Sequence, residues 1–253
     1  MYHFFTEGNA IDKETVTITG KDVNHIKNVL RMKKGEEFTV SVNGSAGEYR
    51  CAIREYTDDS VICDILSTNE TGNELPSKIY LFQGLPKSDK MELIIQKAVE
   101  LGAFKIIPVE MKRSVLKLDP KKAPDKIKRW QAISEAAAKQ SKRSIIPEIS
   151  MPVSFKEALS EASGLTHKLV PYECAEGIAH TREVIDKVNP GDSVAIFIGP
   201  EGGFDESEIE LAKSSGFEII TLGKRILRTE TAGLVVLSIL MMKLDEDPLS
   251  HLR

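Results

Sequence analysis

The sequence predicts an α/β protein. Residues 1–72 read as a small all-β module with one helix, and residues 73–253 as alternating strands and helices around a mainly parallel sheet. Three observations carry this. Short period-two segments and a turn signal crowd the first seventy residues. After Ser67–Ser77, a polar stretch with Gly72, Asn73 and Pro76, strand and helix patterns alternate to the end. Ser193-Val-Ala-Ile-Phe-Ile198 is a continuous apolar run, as expected of a strand covered on both faces.

In order, Thr15–Thr19 alternates with period two, and Asp22–Arg31 carries Val23, Ile26, Val29 and Leu30 at helical spacing. Glu37–Val42 and Glu48–Ile53 flank Asn43-Gly44, the signature of a tight hairpin. Ser60–Leu66 is a further strand. In the second part the strands are Ile79–Leu85, Phe104–Val109, Lys168–Pro171, Ser193–Ile198 and Phe217–Leu222, with a short extended piece at Ile145–Ile149. The helices are Ser88–Leu101 (closed by Gly102), Lys126–Ser141, Phe155–Ala162, Ile178–Val188, one opened by Asp205-Glu-Ser-Glu208, and Thr231–Leu244. Asp205 followed three residues later by Glu208 is a capping-box pattern.

Charge is unevenly spread. Residues 1–72 carry 8 Lys/Arg against 12 Asp/Glu, residues 73–149 carry 16 against 9, and residues 150–253 carry 10 against 17. A basic middle third, densest from Lys112 to Arg143, is the footprint of a nucleic-acid face or of a solvated Lys-rich helix surface. Cys51, Cys63 and Cys174 form no CxxC pair and do not cluster with the five histidines, so neither a zinc site nor a disulfide framework is expected. Met1-Tyr-His-Phe-Phe5 lacks a basic start and long apolar run, and Ala232–Leu244 is too short to span a bilayer. A cytoplasmic protein with reduced thiols is expected.

Parallel sheets gather ligands outside the carboxyl ends of their strands. Two such ends are unusual. Gly199-Pro-Glu-Gly-Gly203 allows close backbone approach, yet it is neither GxGxxG nor a Walker loop. Glu201 inside it disfavours a polyphosphate and suits a cationic or polar ligand. Gly223-Lys-Arg-Ile-Leu-Arg-Thr-Glu-Thr231 places Ile226 and Leu227 within a charged loop, as for a pocket wall beside a flat ring. A plain strand-to-helix turn at the first, and an Arg228–Glu230 ion pair at the second, are the simpler alternatives.

Together, IGPEGGF (198–204) and LGKRILRTETA (222–232) resemble the signature of the SPOUT superfamily of methyltransferases. More narrowly they resemble the RsmE family, which methylates N3 of a uridine in small-subunit ribosomal RNA. The resemblance extends through His25-Ile-Lys-Asn-Val-Leu-Arg31, Lys87–Gly102 and Trp130–Arg143. One departure is His3, where the family usually has arginine. The resemblance implies a PUA-like N-terminal domain, a C-terminal trefoil knot, and a homodimer formed through the knotted region. It also implies an S-adenosyl-L-methionine pocket. Its residues would be Leu169, Pro171 and Glu173, then Ile198, Gly199, Pro200, Glu201, Gly202 and Gly203. Leu222, Gly223, Ile226, Leu227, Arg228, Thr231 and Ala232 would complete it. RNA, free or in the assembled small subunit, would meet His25, Arg31, Lys87, Lys90, Arg113, Arg129, Gln140, Lys142 and Arg143. Arg228 is the candidate for stabilising the uracil anion, and Glu230 the candidate base or orienter. No metal is expected. Ribose 2′-O-methylation and a non-catalytic ribosome-assembly role are the rival readings. A nucleotide-dependent oxidoreductase is weakened by the missing GxGxxG.

Overall fold

The structure is a computed structural model that describes residues 1–42, 45, 47–70, 72–87, 89–119, 121–173 and 177–245. The expected Asn43-Gly44 turn, the helix start at Ser88, and Cys174 lie outside the described residues. The chain divides into two compact units, one made of residues 1–74 with 138–146, the other of residues 75–137 with 147–253.

The first unit holds a five-stranded sheet in the order β1-β3-β4-β5-β2. Its strands are β1 (His3–Thr6), β2 (Thr15–Thr19), β3 (Glu37–Val42), β4 (Glu48–Tyr56) and β5 (Ser60–Asn69). Alternation puts Val16, Ile18, Phe38, Val40, Cys51, Ile53, Val61 and Cys63 into one core. Strand β1 was not expected. Its His-Phe-Phe-Thr shows no period-two alternation, and it is a strand because it pairs in parallel with β3, Phe4 opposite Val40. The expected helix over 22–31 is only α1 (Lys21–Asn24), which widens into a π-helical turn over His25–Val29. Leu30 N–H donates to His25 O, five residues back, and Arg31 ends the turn at a φ of 53°.

The second unit is built on parallel strands in the order β12-β10-β11-β6-β7-β8, with β9 also paired to β7. These are β6 (Lys78–Gly84), β7 (Ala103–Glu110), β8 (Glu148–Ile149), β9 (Val153–Ser154), β10 (His167–Pro171), β11 (Ser193–Ile198) and β12 (Glu218–Ile220). The helices are α2 (Lys90–Glu100), α3 (Ala123–Ser141, whose last turn belongs to the first unit), α4 (Phe155–Glu161), α5 (Ile178–Asp186), α6 (Glu206–Ser214) and α7 (Thr229–Leu244). Phe82 and Phe197 stack at 4.3 Å between ring centres inside the apolar core, with Phe155 and Phe217 edge-on to Phe197. The capping box at Asp205 is present, and a second one, Ser154 with Glu157, opens α4.

Strand β12 is shorter than its apolar run. The Thr181 hydroxyl of α5 donates to Thr221 O at 2.9 Å and accepts from Thr221 N at 3.0 Å, which takes that peptide out of the ladder. From this sheet edge the chain returns inward past β10. Thr229, the first residue of α7, then meets the ends of β11 and β6.

Candidate active site

Because β12, β10 and β11 are parallel neighbours, their carboxyl ends lie side by side at one edge of the second unit. The three segments that leave them enclose a cavity of about 580 Å³, within the ordinary range for a small-molecule site. One wall is Pro171-Tyr172-Glu173. A second is Ile198–Phe204, and the third runs from Thr221 to Thr229, with Ala232 behind it.

The second wall is fixed by its backbone. Gly203 N–H donates to Pro200 O at 2.9 Å, closing a turn in which Gly203 has a φ of 68°. Gly202 lies against Arg113, whose Cβ would be 3.0 Å from any side chain added there. A buried hydroxyl ties this wall to the third. Thr229 Oγ1 donates to Gly199 O at 2.6 Å and accepts from Gln83 Nε2 at 2.8 Å. Gly84, next to Gln83, leaves Pro200 room to approach, since a Cβ would stand 2.7 Å from Pro200 N.

Glu201 is not a bare carboxylate facing the ligand. It accepts from Lys87 N–H at 3.1 and 3.3 Å and pairs with the Lys90 ammonium at 3.1 Å. Burial pushes its pKa up. Hydrogen bonds from its own backbone, from Lys90 and from Lys87 outweigh that and hold it below the ordinary glutamate value. The same ammonium lies 3.3 Å from Glu230 Oε2. The bond to Glu201, and secondarily to Glu230, raises the Lys90 pKa, so Lys90 is a cation rather than a base at neutral pH.

The expected cofactor residues line the cavity with two exceptions. Leu169 is fully buried within β10, two residues short of the rim, and Thr231 lies on the exposed face of α7. Lys90 and Arg113, read from sequence as RNA contacts, line the cavity instead, as do Tyr172, Phe204, Thr221, Lys224, Arg225 and Thr229.

Of the expected RNA contacts, His25, Arg31, Lys87, Gln140 and Lys142 are exposed. Arg129 is exposed but donates to Glu92 at 2.9 Å. Arg143 is a correction. It is 4% exposed and its guanidinium holds Glu74, with Nε to Oε2 at 3.1 Å, so it is spent inside the fold. His3 is also buried, with Nδ1 2.8 Å from Thr39 Oγ1. Burial lowers its pKa against the opposing pull of Glu48.

The lining fits S-adenosyl-L-methionine. Gly203 and Gly223 hold positive φ, and a Cβ at either would meet no protein atom within 4 Å, so the room they leave is cavity rather than packing. Ile226, 82% exposed, with Leu227, Ile198 and Pro171 offers apolar surface to an aromatic ring. The backbone of the two glycine-bearing walls offers polar groups to an amino-acid tail. Among the described residues, no group of three His, Cys, Asp or Glu is placed to hold a metal.

Comparison with known proteins agrees with this geometry. The RNA methyltransferase domain family matches residues 73–241, and the RNA methyltransferase PUA domain family matches residues 18–66. Ribosomal RNA small subunit methyltransferase E of Bacillus subtilis (strain 168) is 39% identical over 236 residues, 92% of each chain. The enzyme of the same name from Neisseria gonorrhoeae, solved bound to S-adenosyl methionine, superposes with a TM-score of 0.81 at 30% identity, covering 96% of this chain and 98% of that one. A putative methyltransferase from Legionella pneumophila, in complex with the same cofactor, gives 0.80 at 32% identity over 96% and 97% of the two chains. With the match running through both compact units, the chain belongs to the ribosomal RNA small subunit methyltransferase E (RsmE) family of SPOUT RNA methyltransferases.

Proposed function

We propose that this protein binds S-adenosyl-L-methionine in the three-walled cavity and methylates N3 of a uridine in small-subunit (16S) ribosomal RNA. The observation that carries this reading is the cavity at the ends of β12, β10 and β11 in a chain of this family. Pro171–Glu173, Ile198–Gly203, Leu222–Leu227 and Ala232 would hold the cofactor. When bound, it supplies an electrophilic methyl group carried on a sulfonium.

The protein's own work is on the base. Uracil N3 carries a proton at neutral pH and becomes nucleophilic as that proton leaves. Arg228, exposed at the cavity rim, donates to a flanking carbonyl oxygen and stabilises the charge that grows there. Glu230 takes the N3 proton. The walls fix the angle of approach, which supplies much of the rate. A paired target uridine has to be turned out of its stack first. His25, Arg31, Lys87, Gln140 and Lys142 supply exposed polar and basic groups for RNA.

The protein acts as a homodimer in the cytoplasm. Leu93 of α2, with Ile239 and Met242 of α7, leave apolar side chains 46%, 39% and 79% exposed. These suit a second copy of the chain. No helix of the described residues is long and apolar enough to cross a membrane.

Mass spectrometry of digested RNA, from cells with and without the protein, tests the reading. Loss of one base-methylated uridine from the small subunit is expected, and loss of a ribose-methylated nucleotide would overturn the assignment to N3. In vitro, Arg228→Ala is expected to lower transfer about 10²–10³-fold. Full activity of that variant would remove Arg228 from its role.

A further inference from the structure

Lys90 stands at the first turn of α2, and its sequence context invites a phosphate contact. The structure gives it other work. Its ammonium lies 3.1 Å from Glu201 Oε1, in the wall that follows β11, and 3.3 Å from Glu230 Oε2, in the first turn of α7. It also lines the cavity itself. The same carboxylate of Glu201 is held by the Lys87 N–H just ahead of α2. One cation thus joins three chain segments that meet only through tertiary structure. Two carboxylate oxygens within 3.3 Å of a single nitrogen are close neighbours. Without the ammonium they would face each other as like charges.

We infer that Lys90 is a positioning residue for methyl transfer, bridging Glu201 to Glu230, and not a ligand of RNA phosphate. The inference rests on the proposed methyl-transfer reading and adds a role to it. Lys90 helps keep Glu201 ionised, holds Glu230 in place to take the proton from N3, and fixes the Glu201 loop on the cofactor side. Lys87 presents its side chain to solvent and only its backbone to Glu201, so it remains the phosphate contact of this turn. Two lysines three residues apart therefore divide two tasks between them.

The test uses the full-length protein with small-subunit RNA. It compares Lys90→Met, Lys90→Arg, Lys87→Met and Glu201→Gln. If Lys90 positions the site, Lys90→Met lowers kcat about a hundredfold. RNA binding should then keep the native slope of log affinity against log salt. Lys90→Arg should recover most of the lost rate, because a guanidinium can span the same two carboxylates. Adding Glu201→Gln to Lys90→Met should cost far less than the two single losses combined. Lys87→Met, by contrast, should flatten the salt slope by roughly 0.7–0.9, the value of one phosphate contact.

Lys90→Met with native kcat and a flattened salt slope would make Lys90 a phosphate ligand and overturn the inference. So would full activity on all counts. If Lys90→Met does not fold, failure of Lys90→Arg to sustain turnover at native thermal stability would overturn it equally. A native protein that transfers no methyl group refutes the functional reading and the inference together. A native protein that does transfer the methyl group, with indifferent Lys90 variants, refutes the inference alone.

Discussion

Replacing Thr229 with valine should loosen the cavity without leaving a hole. Valine matches threonine in shape, so the change removes one hydroxyl and little volume. That hydroxyl is in a residue 6% exposed, and it does two jobs. It donates to the buried Gly199 carbonyl at 2.6 Å and accepts from Gln83 Nε2 at 2.8 Å. A buried polar group left without its partner costs about 1–3 kcal/mol. Gly199 O bears that cost in full. Gln83 Nε2 keeps a second acceptor in Gly84 O, so its loss lies near the low end. The sum is about 2–4 kcal/mol, equivalent to a fall in Tm of roughly 5–12 °C for a unit of this size. Thr229→Ser keeps the hydroxyl and should stay within about 1 kcal/mol of native. The assay is thermal unfolding, with and without S-adenosyl-L-methionine, alongside a calorimetric titration of the cofactor. Because the hydroxyl pins the Gly199 wall, cofactor affinity should fall with stability. Native Tm and native affinity in Thr229→Val would refute the reasoning. So would a serine variant as damaged as the valine one, since the methyl group would then be what matters.

Two other outcomes follow from buried groups. Arg143→Met strands the Glu74 carboxylate, whose side chain is 11% exposed and which also accepts from Ser144 N–H at 2.7 Å. The first unit should lose about 3–5 kcal/mol, read by denaturant unfolding, and a near-native midpoint would show the pair to be dispensable. Burial pushes the thiols of Cys51 and Cys63 up to about 12. A raised thiol pKa keeps the unreactive protonated form through pH 8. Iodoacetamide at pH 8 should therefore leave both unmodified in the native protein and label them after denaturation, as read by peptide mass spectrometry. Native labelling at either position would contradict the burial.

The sequence was legible where local pattern and tertiary environment agree. The run Ser193–Ile198 is a buried strand, Asp205 and Glu208 form their capping box, and the two glycine-bearing loops follow β11 and β12, the strands on either side of β10. The first wall, Pro171–Glu173, carried no local signal and entered only through family resemblance. Other features depend on partners far along the chain. Strand β1 exists because β3 pairs with it, and β9 is two residues long and pairs with β7. Leu169 shows the limit of reading a strand end from sequence: a shift of two residues separates a cavity wall from the middle of the sheet.

Charge was the least legible feature, because a sequence shows the sign of a side chain but not its partner. The basic middle third suggested a nucleic-acid face. Part of its charge instead meets acids from the two acidic thirds. Lys139 binds Asp22 at 3.0 Å, 117 residues earlier in the chain. Lys112 reaches Asp205 at 3.3 Å, Lys105 reaches Glu161 at 3.4 Å, and Lys90 takes Glu201 and Glu230. The segregation of charge along the sequence is thus in part complementarity between segments of one fold. Burial then decides which of these cations RNA could still recruit. An exposed pair such as Arg129–Glu92, whose arginine side chain is 65% exposed, is weakly held and can be exchanged for a phosphate at small cost. Arg143 cannot be exchanged, because leaving Glu74 would strand a buried carboxylate. Lys90 lies between these cases, since drawing it to a phosphate would release Glu201 and Glu230 as well. Any RNA contact that competed for Lys90 would therefore be felt directly in the cofactor site.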